Sequence, residues 1–114
     1  MSRDELMYLQ DMAESCERIL LYTEGLTQSG LIHDQKSYDA VVRNLEIIGE
    51  AAKHVSDNLR ACLPGIEWRK IAGMRDMLSH AYFGIDNNIL WDVVQNKIPP
   101  LLAAISAYLR RSSE

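Results

Sequence analysis

Val41-Val42-Arg43-Asn44-Leu45-Glu46-Ile47-Ile48-Gly49-Glu50-Ala51-Ala52-Lys53-His54-Val55 decides the fold class. Val41, Leu45, Ile48, Ala52 and Val55, continued by Leu59, recur at alternating steps of four and three. That spacing lines side chains along one face of an α-helix. Asp34 or Ser37 is the expected N-cap. The polar side carries Arg43, Glu46, Glu50, Lys53 and His54. The spacing offers the pairs Arg43–Glu46, Glu50–Lys53 and Glu50–His54, each contributing only tenths of a kcal/mol. Two readings stand: a solvated, charge-laced face, or a groove wall in which Glu46 and Glu50 border a second polar segment. Gly49 costs about 1 kcal/mol relative to alanine in mid-helix, and a close helix crossing would account for it.

The same periodicity extends in both directions. Ser2 and Glu5 form a capping box for a helix starting at Arg3. Leu6, Leu9, Met12, Cys16, Ile19, Thr23 and Leu26 form its apolar stripe, with Gly25 and Gly30 where it would fray. Residues 31–36 read as a connector. Leu63-Pro64-Gly65-Ile66 breaks the chain, and a third helix is expected from Trp68 to about Tyr82, ended by Gly84. Asp86 caps a fourth from Asn87, with Ile89, Leu90, Val93, Val94 and Ile98 inward. Pro99-Pro100 lacks two amide donors, so a break or kink is expected there. A last helix from Leu101 to about Arg110 would turn Leu102, Ile105 and Leu109 inward. The sum is one all-α domain, residues 1–114: an up-and-down bundle of four long helices plus a short, kinked-off C-terminal helix.

The net charge of -4 argues against a generic nucleic-acid binder, so any RNA contact should be local. No apolar run approaches the ~20 residues of a membrane span, and no secretory signal pattern is visible. Cys16 lies on the first stripe and reads as a core residue. With Cys62 it makes no CxxC, so free thiols in a reducing cytoplasm are expected. His33, His54, His80 and the cysteines show no metal-ligand spacing, and neither metal nor cofactor is expected.

The chemically dense stretch is Arg75-Asp76-Met77-Leu78-Ser79-His80-Ala81-Tyr82. On a helical wheel, Ile71, Met74, Leu78 and Tyr82 share the core side, Arg75 sits at its edge, and Gly73, Asp76 and His80 face away. Asp76 and His80 are four residues apart, so the carboxylate is placed to hydrogen-bond and orient the imidazole. Arg75 and His80 lie about 140° apart around one helix. Two copies facing across a two-fold axis would bring them together, which implies a homodimer with its active cleft at the interface. Arginine forks onto phosphate oxygens and histidine shuttles protons, and neither needs a metal. RNA supplies its own nucleophile, the 2′-hydroxyl. The expected chemistry is metal-independent RNA cleavage, with His80 as base or acid and Arg75 stabilising the phosphorane-like transition state. DNA would not be cut by this route. Arg69 and Lys70 would extend the RNA-binding surface.

These residues resemble the HEPN-domain toxins of the HepT type. Arg75 to Tyr82 fits Arg-x4-His-x-Tyr. Residues 43–51, residues 68–75, and Tyr82-Phe83-Gly84 followed by Trp91 resemble the family too. The resemblance implies an all-α bundle that dimerises through the motif helix, and a ribonuclease toxin acting on a transfer or messenger RNA. It further implies a minimal nucleotidyltransferase antitoxin that transfers AMP onto Tyr82, with Arg75 and His80 as the catalytic pair and Asp76 as polar helper. Two alternatives remain open: a non-catalytic HEPN module binding nucleotide or RNA, and a structural helical protein whose dimer face contains ions.

Overall fold

A computed structural model describes residues 3–81 and 84–113. All regular structure among them is helical. The helices are α1 (Arg3–Thr23), α2 (Gln28–Ile32), α3 (Gln35–Lys53), α4 (Asp57–Ala61), α5 (Trp68–Ser79), α6 (Asn87–Asp92) and α7 (Ile98–Ser112), with a π-helical turn over Val93–Lys97 joining the last two.

α1 and α3 are the central pair. Leu9, Met12, Cys16 and Ile19 of α1 and Val41, Leu45, Ile48 and Ala52 of α3 are almost fully buried, as their spacing requires. α7 packs on the other flank of α1 through Ile98, Leu101 and Ile105, and α5 packs on the other flank of α3. Burial pushes the Cys16 thiol up to about 12, so it behaves as a core residue, while Cys62 is exposed.

The ends of the elements differ from expectation in several places. First, the helix containing Gly49 stops at Lys53 rather than running through Leu59. Ser56 starts a new helix by accepting the Leu59 amide at 3.2 Å, and its own amide donates to Glu5 Oε1 at 3.1 Å. Arg60 then folds back, donating to the Val55 and Ala52 carbonyls at 3.1 and 2.8 Å. The Ala52 carbonyl also accepts the Val55 amide at 3.2 Å, so Arg60 adds a second donor at the helix end. The same guanidinium lies 5.6 Å over the Trp68 ring, whose indole N–H donates to the Leu63 carbonyl. The start of α5 is thereby tied to the end of α3. The expected capping partner of Glu5, Ser2, lies outside the described residues.

Second, the short helix α2, capped by Thr27, runs into the residues read as a connector, taking in Leu31 and Ile32 before Asp34 caps α3. Third, Pro99 and Pro100 do not break the chain. The π-turn lets the Ile98 amide reach back to the Val93 carbonyl, and the prolines then occupy the first turn of α7, where missing donors are tolerated. The C-terminal segment is therefore a long limb lying along α1. Leu101 and Ile105 are buried, whereas Leu102 and Leu109 are half-buried.

The crossing of α3 and α5 is the closest approach. A β-carbon on Gly49 would stand 2.8 Å from the Arg75 amide nitrogen, 2.9 Å from Arg75 Cβ and 3.0 Å from the Ile71 carbonyl oxygen. Gly73, on the far side of α5, has nothing within 4 Å of such a carbon. Two glycines of one helix pair thus predict opposite outcomes. Gly49→Ala should lower stability by roughly 1–2 kcal/mol, because overpacking outweighs the gain in helix propensity. Gly73→Ala should raise it by roughly 0.5–1 kcal/mol. Urea unfolding midpoints of the two variants check both signs.

Candidate active site

Because Gly49 admits the α5 backbone, the polar side of α3 lies directly behind the first residues of the dense stretch. Arg75, half-exposed, forms an ion pair with Glu50, its Nε 3.1 Å from Glu50 Oε2. Glu50 also meets His54 Nε2 at 3.4 Å through its other oxygen, and the His54 ring stacks on Tyr8 of α1 with centroids 4.8 Å apart. Lys53 donates to Asp76 Oδ1 at 2.8 Å. Of the three pairs expected within α3, only Glu50–His54 forms. Glu50 and Lys53 turn to α5 instead of to each other, and Arg43 and Glu46 do not close on each other among the described residues. A partner on a neighbouring helix competes well here, since a pair within the helix contributes so little.

The Asp76 carboxylate therefore does not orient His80 as expected. It faces Lys53, with Arg75 Nη1 more loosely placed at 3.5 Å. The hydrogen bond to Lys53 holds the Asp76 carboxyl below the usual range, helped by the charges of Lys53 and Arg75. What orients the imidazole is the Asp76 backbone: its carbonyl lies 2.8 Å from His80 Nδ1. A carbonyl can only accept, so Nδ1 carries the proton, and in the neutral ring the lone pair lies on Nε2. α5 ends three residues earlier than expected, at Ser79, making His80 its C-cap at φ -111° and ψ 20°. The exposed imidazole thus hangs from a helix end rather than a helix face.

Arg69 and Lys70 are both exposed in the first turn of α5. Lys70 is paired with Glu67 at 2.8 Å and borders a different, apolar groove running towards Ile89 and Leu101. The structure does not bring these two residues together with Arg75. Tyr82 lies outside the described residues. No cluster of three or more metal-ligating side chains occurs among the described residues, and no helix among them is long and apolar enough to cross a membrane.

Arg75 and Glu50 border a groove of about 280 Å³ between α1 and α3. Glu46 and Arg43 line its α3 side, and Tyr8 and Asp11 its α1 side. Glu46 and Glu50 do wall a groove beside the dense stretch. The contribution of α1 was not legible from spacing, because Tyr8 and Asp11 lie off its apolar stripe.

A family described as ribonuclease HepT-like matches residues 12–108, which include the groove residues of α3 and the whole dense stretch. The chain belongs to the HepT-like ribonuclease family. It is 44% identical over 101 residues to a Thermococcus cleftensis protein named "Probable ribonuclease HepT", covering 89% of this chain and 92% of that one. It is 38% identical over 97 residues to a "Putative RNase" of Methanocaldococcus jannaschii, covering 85% and 80% of the two chains. A further "Putative RNase", from Caldanaerobacter subterraneus subsp. tengcongensis, is 35% identical over 104 residues, with 91% and 93% covered. No solved structure matches the chain significantly.

In this HepT-like chain the carboxylate next to the motif arginine has a lysine partner on another helix, a contact no local pattern announces. Its consequence is measurable. A carboxyl held low in the folded state stabilises the fold above its unfolded pKa, near 3.9, and loses that effect as pH falls through the lower folded value. Lys53→Met should return the Asp76 pKa upward towards the ordinary value, read by carbon-detected NMR titration, and should flatten the acid limb of the stability profile. An unchanged Asp76 titration would show that the lysine is not its partner in solution.

Proposed function

We propose that this chain is the toxin of a toxin–antitoxin pair, a metal-independent ribonuclease of the cytoplasm. The observation that carries the reading is the presentation of Arg75. Glu50 pairs with the Nε side of the guanidinium, which leaves the terminal nitrogens, Nη1 only loosely held by Asp76 at 3.5 Å, to meet a phosphate oxygen. His80 Nδ1 is committed to a carbonyl, which assigns the proton-transfer role to Nε2. In the proposed reaction one imidazole removes the 2′-hydroxyl proton, the 2′-oxygen attacks phosphorus, and the 5′-oxygen leaves with a proton from a second imidazole. The arginine stabilises the charge gathered on the equatorial oxygens.

One chain supplies one His80, whereas the proposed reaction uses two imidazoles, one as base and one as acid. The proposed working unit is therefore a homodimer of helical bundles with the motif helices facing each other. Its proposed control is a nucleotidyltransferase antitoxin that joins AMP to Tyr82. The added phosphodiester would add negative charge to the motif and repel the RNA backbone. Family membership and the relatives' names support the ribonuclease reading. Asp76 acts in it through its backbone carbonyl, and Arg69 is left as a peripheral RNA contact.

The purified protein should cleave RNA in the presence of a chelator. Arg75→Ala and His80→Ala should each lower the rate by about 100-fold or more, while Asp76→Asn, which keeps the carbonyl, should have a much smaller effect. A 2′-deoxy substitution at the cleaved nucleotide should abolish cutting there. Equal RNA decay by wild type and His80→Ala would overturn the proposal, and RNA retained without cleavage by wild type would leave a binding module in its place.

A further inference from the structure

The groove beside Arg75 holds charges the fold does not use. Arg43 and Glu46 stand one turn apart on α3, where opposite charges ordinarily close on each other. Here neither makes a hydrogen bond or ion pair with any described residue, and the same is true of Asp11 on the α1 side. Both α3 residues line the groove, with Ile47 and Ala51 supplying its apolar surface and the Tyr8–His54 ring stack bordering it. Its volume of about 280 Å³ has room for one planar ring system. Glu50 connects it to the proposed chemistry, since that side chain lines the groove and also holds Arg75.

We propose, resting on the ribonuclease reading, that this groove seats the base adjoining the phosphate held by Arg75, and that this base is guanine. An ionised carboxylate only accepts hydrogen bonds and a guanidinium only donates them. A base that satisfies Glu46 and Arg43 together must present two donors on one edge and two acceptors on the next. Guanine does: its N1–H and N2 amino group face the carboxylate, and its O6 and N7 take the arginine fork. Adenine and cytosine each bring one amino group beside a ring acceptor that a carboxylate repels. Uracil brings a single N–H flanked by two carbonyls, with the same repulsion. The apolar surface and the adjacent rings suit the flat faces of a splayed-out base, the usual form in which single-stranded RNA is read. The groove thus supplies sequence preference to a chain whose net charge is -4, and which for that reason has weak general attraction for RNA.

The full-length protein is titrated with the four ribonucleoside 3′-monophosphates by NMR, and cleavage is followed on oligoribonucleotides that vary one base at a time. Wild type should bind the guanosine nucleotide at least about tenfold more tightly than the other three and cut next to guanosine. Glu46→Gln, which turns one donor towards guanine's own donors, should bring the four affinities together with an unchanged circular dichroism spectrum. Arg43→Lys keeps the charge without the fork and should lose discrimination of guanine against adenine. Equal affinity for all four nucleotides in wild type, or a guanine preference surviving in both variants, would overturn the site. Selective guanosine binding without cleavage of any RNA would overturn the ribonuclease reading and leave the guanine site standing.

Discussion

The near-contact of two backbones at Gly49 and Arg75 governs the arrangement of everything else around the motif. Glycine there removes the one atom that would hold α5 away from α3, since a β-carbon would fall within 3.0 Å of three α5 atoms. The approach has a direct electrostatic result. Glu50, the next residue on α3, faces the guanidinium of Arg75, and Lys53, three residues on, faces the carboxylate of Asp76. Two adjacent motif residues of opposite charge thus meet two residues of the complementary charge order on the neighbouring helix. Each pair is exposed and individually weak. Their value lies in direction: they set which edge of the guanidinium remains available and draw the carboxylate away from the imidazole.

The end of α5 supplies the second half of the arrangement. An α-helix leaves its last carbonyls without amide partners. The Asp76 carbonyl is not one of these, since it accepts the His80 amide at 3.1 Å, but it takes the ring Nδ1–H as well, so a helix terminus does the orienting that a carboxylate performs in many histidine sites. The consequence is a division of labour within one residue: the Asp76 backbone serves the histidine and its side chain serves Lys53. The connection from α3 to α5 also turns on carbonyls at a helix end. Arg60 satisfies carbonyls at the end of α3 while covering the Trp68 ring that starts α5. The crossing is thereby anchored at one end by a cation over an aromatic face and at its centre by a missing side chain.

Much of this was legible in the residue order. The buried stripes of α1 and α3, the cap at Asp34, the cap at Asp86 and the close crossing at Gly49 follow from periodicity, side-chain chemistry and the cost of glycine in mid-helix. What misled was the assumption that a continuing apolar period means a continuing helix. Val55 and Leu59 stay buried across the break after Lys53, because a loop and a new helix can present side chains to the same core. Pro99-Pro100 misled in the other direction. A π-turn spends its extra residue before the prolines and lets the helix run on. The Asp76–His80 hydrogen bond was a sound local expectation that lost to a lysine arriving from elsewhere in the chain.

By itself, the sequence determined the helical class, the buried face of each central helix, and the grouping of arginine, carboxylate, imidazole and phenol in one short stretch, because these depend on neighbours within a few turns. The tertiary structure alone decided which edge of Arg75 is occupied, which group orients His80, and that Arg43, Glu46 and Asp11 border one groove. Those outcomes depend on the distance between helices. No pattern along one helix encodes that distance, beyond marking with a glycine the point where a neighbour comes close.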